Sequence, residues 1–354
     1  MKRLTNRVLV GVAAACVLYV ATGWSYAGVV NLNDTATGFG LTPVIGLNQG
    51  SAAGIADGTM YSWVITIAAS PRNWSGATNI QPWITWPSDQ QIRTVRVWED
   101  RDAGGGSYDR LRIDRLDTGG STAVEGAGGW LNVYDSGTGQ SIQFSDVDLG
   151  ATYTTRGLRV RVDKTTTDVN VGEVAVFGPL PLGGTLTSLR VFPTNVVASG
   201  VEYGGAAGAN NVNWFDRWQV GATVNPDPDF WYDMFFANAK LDAVSLTFAQ
   251  QGVHGAVPTS WELLADTGSG LTSLGTFSRT TAQNGQIDGV YYINIGSLSG
   301  VNQIRLRVPE ANTGGNGLAL MEFEAFQTEP IPEPGTVGLL ALGAGLALFR
   351  RRRT

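Results

Sequence analysis

Cysteine is almost missing from the 354 residues: the single Cys16 lies inside an N-terminal apolar stretch. Without that stretch the chain can form no disulfide and offers no thiolate nucleophile or thiolate metal ligand. Histidine is as scarce. His254 stands alone in Gln250-Gln251-Gly252-Val253-His254-Gly255, so Ser/His/Asp or Cys/His catalysis has one imidazole at most to draw on. A zinc site would have to take its remaining ligands from carboxylates. Lysine occurs only at positions 2, 164 and 240, and charged residues make up 15% of the chain. Between the two ends no segment reads as a convincing helix.

What is present is most distinctive at the ends. Lys2, Arg3 and Arg7 precede an apolar run from Val8 to Val20, and Ser25-Tyr26-Ala27 has the small-x-small pattern of a signal-peptidase site. Residues 1–27 therefore read as a signal peptide cleaved after Ala27. The C-terminus carries Pro332-Glu333-Pro334, an apolar run of 15 residues from Gly335 to Phe349, and Arg350-Arg351-Arg352-Arg353. That run is shorter than the roughly 20 residues that cross a bilayer comfortably, and the arginines would hold it on the cytoplasmic side. These residues resemble the PEP-CTERM sorting tail of Gram-negative bacteria. The resemblance implies recognition of residues 328–354 by an exosortase and transient membrane association. It also implies export through the inner membrane to the cell surface, the outer membrane or an exopolysaccharide matrix. The plainer reading of the segment is a retained C-terminal anchor.

Export changes the charge. The signal peptide takes three basic residues and the tail four, leaving 17 of 24; cutting beside Pro334 also removes Glu333, leaving 29 of 30 acidic groups and a net charge of −12. Such a surface repels phosphate backbones, so nucleic acid is excluded as an expected partner. Sparse charge with abundant Gly, Thr, Asn and Trp fits an exported all-β protein rich in turns.

About 300 residues remain between the ends, more than one hydrophobic core usually supports, so two domains are expected. Phe177-Gly178-Pro179-Leu180-Pro181-Leu182-Gly183-Gly184 breaks the pattern between them. The first half closes on Leu158-Arg159-Val160-Arg161-Val162 and Glu173-Val174-Ala175-Val176-Phe177. The second closes on Ile304-Arg305-Leu306-Arg307-Val308 and Glu322-Phe323-Glu324-Ala325-Phe326. Period-two alternation in both pairs predicts strands with one buried face. The two halves read as one fold duplicated.

The order of these segments resembles the discoidin, or coagulation-factor type C, sandwich of the galactose-binding-like group. In the first half the likeness is carried by Ala56-Asp57-Gly58 with Trp63, Pro82-Trp83-Ile84-Thr85-Trp86, Ile92-Arg93-Thr94-Val95-Arg96-Val97 and the closing pair. In the second it is carried by Leu241-Asp242-Ala243-Val244-Ser245-Leu246, Pro258-Thr259-Ser260-Trp261-Glu262-Leu263-Leu264-Ala265 and the closing pair. It implies two tandem jelly-roll-like β-sandwiches, 28–179 and 184–327, flanked by an N-terminal signal helix and a C-terminal short hydrophobic helix. It also implies a structural calcium in the first sandwich held by Asp57, Ser62 and Glu173, hard oxygen ligands of the kind calcium prefers. In the second half only Glu322 matches that set.

Sugar sites pair an aromatic plate with polar side chains that fix the hydroxyls. Arg72, Asn73 and Trp74 form such a group. Trp231, following Asn225-Pro226-Asp227-Pro228-Asp229, is a second candidate. Trp83, Trp86 and Trp261 sit in strand-like runs and read as core. The acidic stretches Glu99-Asp100-Arg101-Asp102 and Asp227-Pro228-Asp229 read as exposed turns; nothing frames either as a facing pair of glycosidase carboxylates. The expectation is a non-catalytic surface or matrix protein that binds extracellular polysaccharide or another surface component through sandwich loops. A structural or adhesive spacer is the alternative, and a glycan-active enzyme the third reading.

Overall fold

The computed structural model describes Leu32 and residues 38–41, 79–99, 108–142, 144–163, 171–180, 182–201, 204–210, 218–221, 227–248, 257–280, 289–315 and 317–328. These residues are almost entirely β. The first half holds β1 (Gly38–Leu41), β2 (Asn79–Ile80), β3 (Pro82–Glu99), β4 (Arg110–Leu116), β5 (Trp130–Asp135), β6 (Phe144–Asp163) and β7 (Val171–Phe177) in one seven-stranded sheet. The second half holds β8 (Asn195–Ala198), β9 (Trp218–Val220), β10 (Asp229–Phe248), β11 (Ser260–Asp266), β12 (Leu271–Ser278), β13 (Val290–Pro309) and β14 (Leu318–Phe326) in another. Both expected terminal helices lie outside the described residues. Among the described residues no helix is long and apolar enough to cross a membrane.

The halves repeat one topology. The order β1-β3-β6-β4-β5, with β7 also on β3, reappears as β8-β10-β13-β11-β12 with β14 on β10. The registers match as well. Trp83 and Asp114 flank Arg159 across β3, β6 and β4, as Trp231 and Glu262 flank Arg307 across β10, β13 and β11.

Each half becomes a sandwich because its long strands bend. The β3–β6 ladder slips between Thr85 and Gln90 and again between Ile92 and Thr94; the β10–β13 ladder slips between Phe235 and Ala243. Bulges of this kind kink a strand and increase its twist. At the bends Gly150 adopts φ 76° and Asn238 φ 57°, values that Gly and Asn accept most readily. One portion of each long strand then joins a five-stranded outer layer (β1-β3-β6-β4-β5 or its copy), and the other joins an inner layer with β7 or β14. Ile84, Leu158, Val160 and Ile113 from the outer layer meet Val95, Val97, Val147 and Val176 from the inner one in a single buried cluster.

The two inner layers pack against each other. Trp98, Ala175, Phe177, Leu180 and Leu186 form one cluster with Ala243, Val290, Ala319, Met321 and Phe326, and Phe177 meets Tyr292 edge-on at 4.8 Å. The segment after β7 is part of this contact. Leu180 is buried in it, and Gly184 O accepts a hydrogen bond from Thr94 Oγ1 at 3.1 Å. The molecule is thus four layers deep, with its outer layers facing opposite ways. Here the structure corrects the expectation of one buried face for the last strand. All nine residues of β14 are buried, because one face lies on its own core and the other on the first half. Glu322 and Glu324 pair there with Arg190 at 2.7 and 3.2 Å.

Candidate functional site

The outer layer of the second half carries a row of polar side chains around Trp231. Alternation along β10, β13 and β11 sends Trp231, Asp233, Arg305, Arg307 and Glu262 to the same face. Arg305 grips Asp233 with Nε to Oδ1 and Nη2 to Oδ2, both at 2.6 Å. Its guanidinium lies over the Trp231 ring, 4.7 Å from the centroid. The indole Nε1 donates to Asp227 Oδ2 at 2.9 Å. Arg307, 48% exposed in its side chain, reaches Asp229 Oδ2 at 2.7 Å and Glu262 Oε2 at 3.4 Å. Hydrogen bonds from Arg305 to Asp233 and from Arg307 to Asp229 raise the pKa of both guanidiniums, so both are permanently cationic. The row therefore offers an aromatic plate held at a fixed angle, carboxylate acceptors and guanidinium donors, a set that suits hydroxyl-bearing ligands.

The first half has the same row in a different state. Arg159 donates to Asp114 Oδ2 through Nε at 2.8 Å and Nη2 at 2.6 Å. Asp114 also accepts from Arg161 Nη2 at 2.8 Å and Asn132 Nδ2 at 3.0 Å. Trp130 lies against the Arg159 guanidinium, 5.0 Å from centroid to Cζ, and Trp83 contacts Trp130 with ring centroids 6.4 Å apart. Glu125, from the β4–β5 connection, grips the remaining edge of Arg159, with Oε2 2.7 Å from Nη2 and Oε1 on Nη1. Those bonds hold the Glu125 carboxyl below its usual range.

The candidates named from sequence fare as follows. Trp231 belongs to β10 rather than to the loop before it, and Arg305 covers its ring. Trp130 opens β5 and is 2% exposed. Trp86 and Trp261 are core, as expected, whereas Trp83 is only half-buried on the outer layer. Ala27, Asp57, Ser62, Arg72, Asn73, Trp74, His254, Pro332, Glu333, Pro334 and Arg350 to Arg353 lie outside the described residues. Glu173 stands on β7 opposite Trp98. Its counterpart Glu322 has its charge met by Arg190, so a guanidinium supplies there what a cation would. Among the described residues no three His, Cys, Asp or Glu side chains gather as a metal site. Asp233, Glu262, Arg305 and Arg307 were not singled out for binding. The Ile304-Arg305-Leu306-Arg307 alternation marks the arginines as outward, but their partners lie 45 to 78 positions away.

Residues 330–353 match the PEP-CTERM protein-sorting motif. The chain therefore bears the sorting signal of exported, exosortase-processed proteins of the Gram-negative cell envelope. No curated protein matches the sequence. Among solved structures, the chain is similar to the paired CBM32-1 and CBM32-2 domains of Clostridium perfringens ZmpB, solved with GalNAc. Identity is 10%, 86% of this chain and 92% of that one are covered, and the TM-score is 0.33. It is also similar to a fucolectin from striped bass (Morone saxatilis) serum, at 13% identity, 85% and 99% coverage and TM-score 0.33. A third is an F5/8 type C domain from Bacteroides fragilis, at 15% identity, 38% and 92% coverage and TM-score 0.32.

Proposed function

We propose that this exported chain acts without catalysis, binding extracellular polysaccharide through the outer layer of its second half. The observation that carries the reading is the Trp231 row: an indole braced by Arg305 and Asp227, flanked by Arg307, Asp229 and Glu262 at a partly exposed strand face. Five of the seven described tryptophans are buried as core, so tryptophan content alone favours nothing. Trp231 is only half-buried, and its ring lies within the charged row beneath Arg305. The carboxylates of the row are locked to arginines, an arrangement that favours accepting hydroxyl hydrogen bonds over transferring protons. The Arg72, Asn73 and Trp74 group is a second contact in the same proposal. A purely structural spacer is the alternative.

The test is affinity electrophoresis of the mature chain in gels containing neutral polysaccharides, comparing wild type with Trp231→Ala and Arg307→Ala. Loss of an aromatic anchor is expected to weaken binding by about 1–2 kcal/mol, roughly tenfold or more. Undiminished retardation of Trp231→Ala on every polymer that retards the wild type would remove this row as the site.

A further inference from the structure

The two rows occupy equivalent registers, yet one is open and the other is covered. The difference lies in the connection between the strands beside them. It spans 267–270 between β11 and β12 but 117–129 between β4 and β5. The longer connection folds back over the sheet. Thr122 O accepts from Trp130 Nε1 at 3.0 Å, and Asp117 Oδ2 accepts from Gly128 N at 3.1 Å. At Gly129 a Cβ would meet Val124 O at 1.9 Å, so only glycine lets the loop close this tightly. As a result the Arg159 side chain is 0% exposed while Arg307 is 48% exposed.

Glu125 is placed as an occupant rather than a pillar. Its side chain is 61% exposed although its partner is sealed, so the carboxylate sits at the surface on top of the guanidinium. Asp114 takes Nε and Nη2 of Arg159 from beneath but also accepts from Arg161, so Glu125 supplies the second carboxylate of this cluster. Releasing Glu125 leaves Arg159 paired with Asp114 but the cluster one carboxylate short, a deficit that an incoming carboxylate would make good. Beside this pair the buried Trp83 Nε1 finds no acceptor among the described residues, although buried polar atoms are ordinarily bonded. Apart from Glu125 on Arg159 and Thr122 on Trp130, the hydrogen bonds of residues 118–128 run to other residues of the loop, to Asp117 or to the Trp130 backbone.

We propose that the first half carries a latched binding site for a carboxylated saccharide, with Glu125 as its tethered stand-in. The carboxylate of a uronic acid would replace Glu125 on Arg159, a hydroxyl would accept from Trp83 Nε1, and the sugar ring would lie against Trp130 and Trp83. This rests on the polysaccharide-binding reading for the saccharide class, whereas the carboxylate requirement comes from Arg159 and Glu125 alone.

The experiment uses the full mature chain, with polygalacturonate as probe and a neutral galactan as control, followed by tryptophan fluorescence. Glu125→Ala removes the latch from an exposed position. It is expected to bind polygalacturonate about tenfold more tightly than wild type, with a fluorescence change and no gain on galactan. Hydrogen exchange of 117–129 should quicken in the variant and, in wild type, on saturation with polygalacturonate. An unchanged affinity, or an equal gain on both polymers, would overturn the proposal. If Glu125→Ala misfolds, the wild-type exchange experiment decides, and unaltered exchange of 117–129 with saturating polygalacturonate would overturn it. The Trp231→Ala result on neutral polymers is independent of all these outcomes, so the two ideas fail separately.

Discussion

Arg96 and Glu324 lie 228 positions apart and form a buried ion pair, Nη1 to Oε2 at 2.7 Å, with both side chains no more than 1% exposed. Arg96 also binds Asp146 at 3.1 Å, and Glu324 binds Arg190 at 3.2 Å and Ser245 Oγ at 2.8 Å. In the duplicated topology Arg96 and Ser245 are equivalent positions on β3 and β10, as are Ala175 and Glu324 on β7 and β14. The same patch of each copy thus faces the other, and charge was placed on both sides of the join.

That join makes the halves one cooperative unit. Arg96→Ala leaves Glu324 buried with part of its compensation gone, and is expected to cost about 3–5 kcal/mol. The paired replacement Arg96→Met with Glu324→Leu removes the central pair but leaves Asp146 without its guanidinium and Arg190 with Glu322 alone, so it should recover only part of that loss. Urea unfolding of the wild type should follow a single transition by fluorescence and circular dichroism. Two separated transitions would show that the junction does not couple the halves.

Acid should weaken the fold in a defined window. Hydrogen bonding from Arg110 lowers the Asp135 pKa from 3.8 to about 2. Burial alone would raise Glu324, but Arg96 and Arg190 outweigh it and hold the carboxyl below its ordinary 4.5. Depressed folded-state values mean that the unfolded chain takes up protons first. The stabilisation is therefore complete above the unfolded pKa values and is lost as pH falls through the folded ones. Melting temperature should be flat from neutral pH to about 5 and drop between about 4.5 and 2, with Asp135→Asn flattening the lower part of the fall. A melting temperature that holds steady to pH 2 would contradict these pairings.

The sorting tail predicts a processed product. Protein recovered from the cell surface should have an intact mass that lacks the residues beyond the Pro332-Glu333-Pro334 region matched within 330–353. Surface protein that still carries Arg350 to Thr354 would show that the segment is kept as an anchor.

Much was legible before any coordinates. Leu158-Arg159-Val160-Arg161-Val162 and its copy at Ile304–Val308 alternate so regularly that strand, buried side and duplication follow from pattern alone, and the strand orders agree. Trp83, Trp86 and Trp261 were read as core because they sit in strand-like runs, and this holds for Trp86 and Trp261 but not for Trp83, which is only half-buried. Trp130 follows Gly128-Gly129, a pair that looks like open loop, and only the fold of 117–129 over β5 shows that the ring is covered.

By itself the sequence determined the address of this protein, its all-β repeat and which residues of each strand point the same way. All of these depend on local order: an apolar run, an arginine cluster, a period of two. Tertiary structure alone decided what each face meets. Glu322 and Glu324 carry the same alternation signal as Glu262, yet they are buried between two sandwiches while Glu262 stays on the surface beside Arg307. Arg159 and Arg307 hold equivalent places, yet a loop of different length seals one and leaves the other open. Periodicity records the side of a strand; the stacking of layers and the reach of a connection set the solvent on that side.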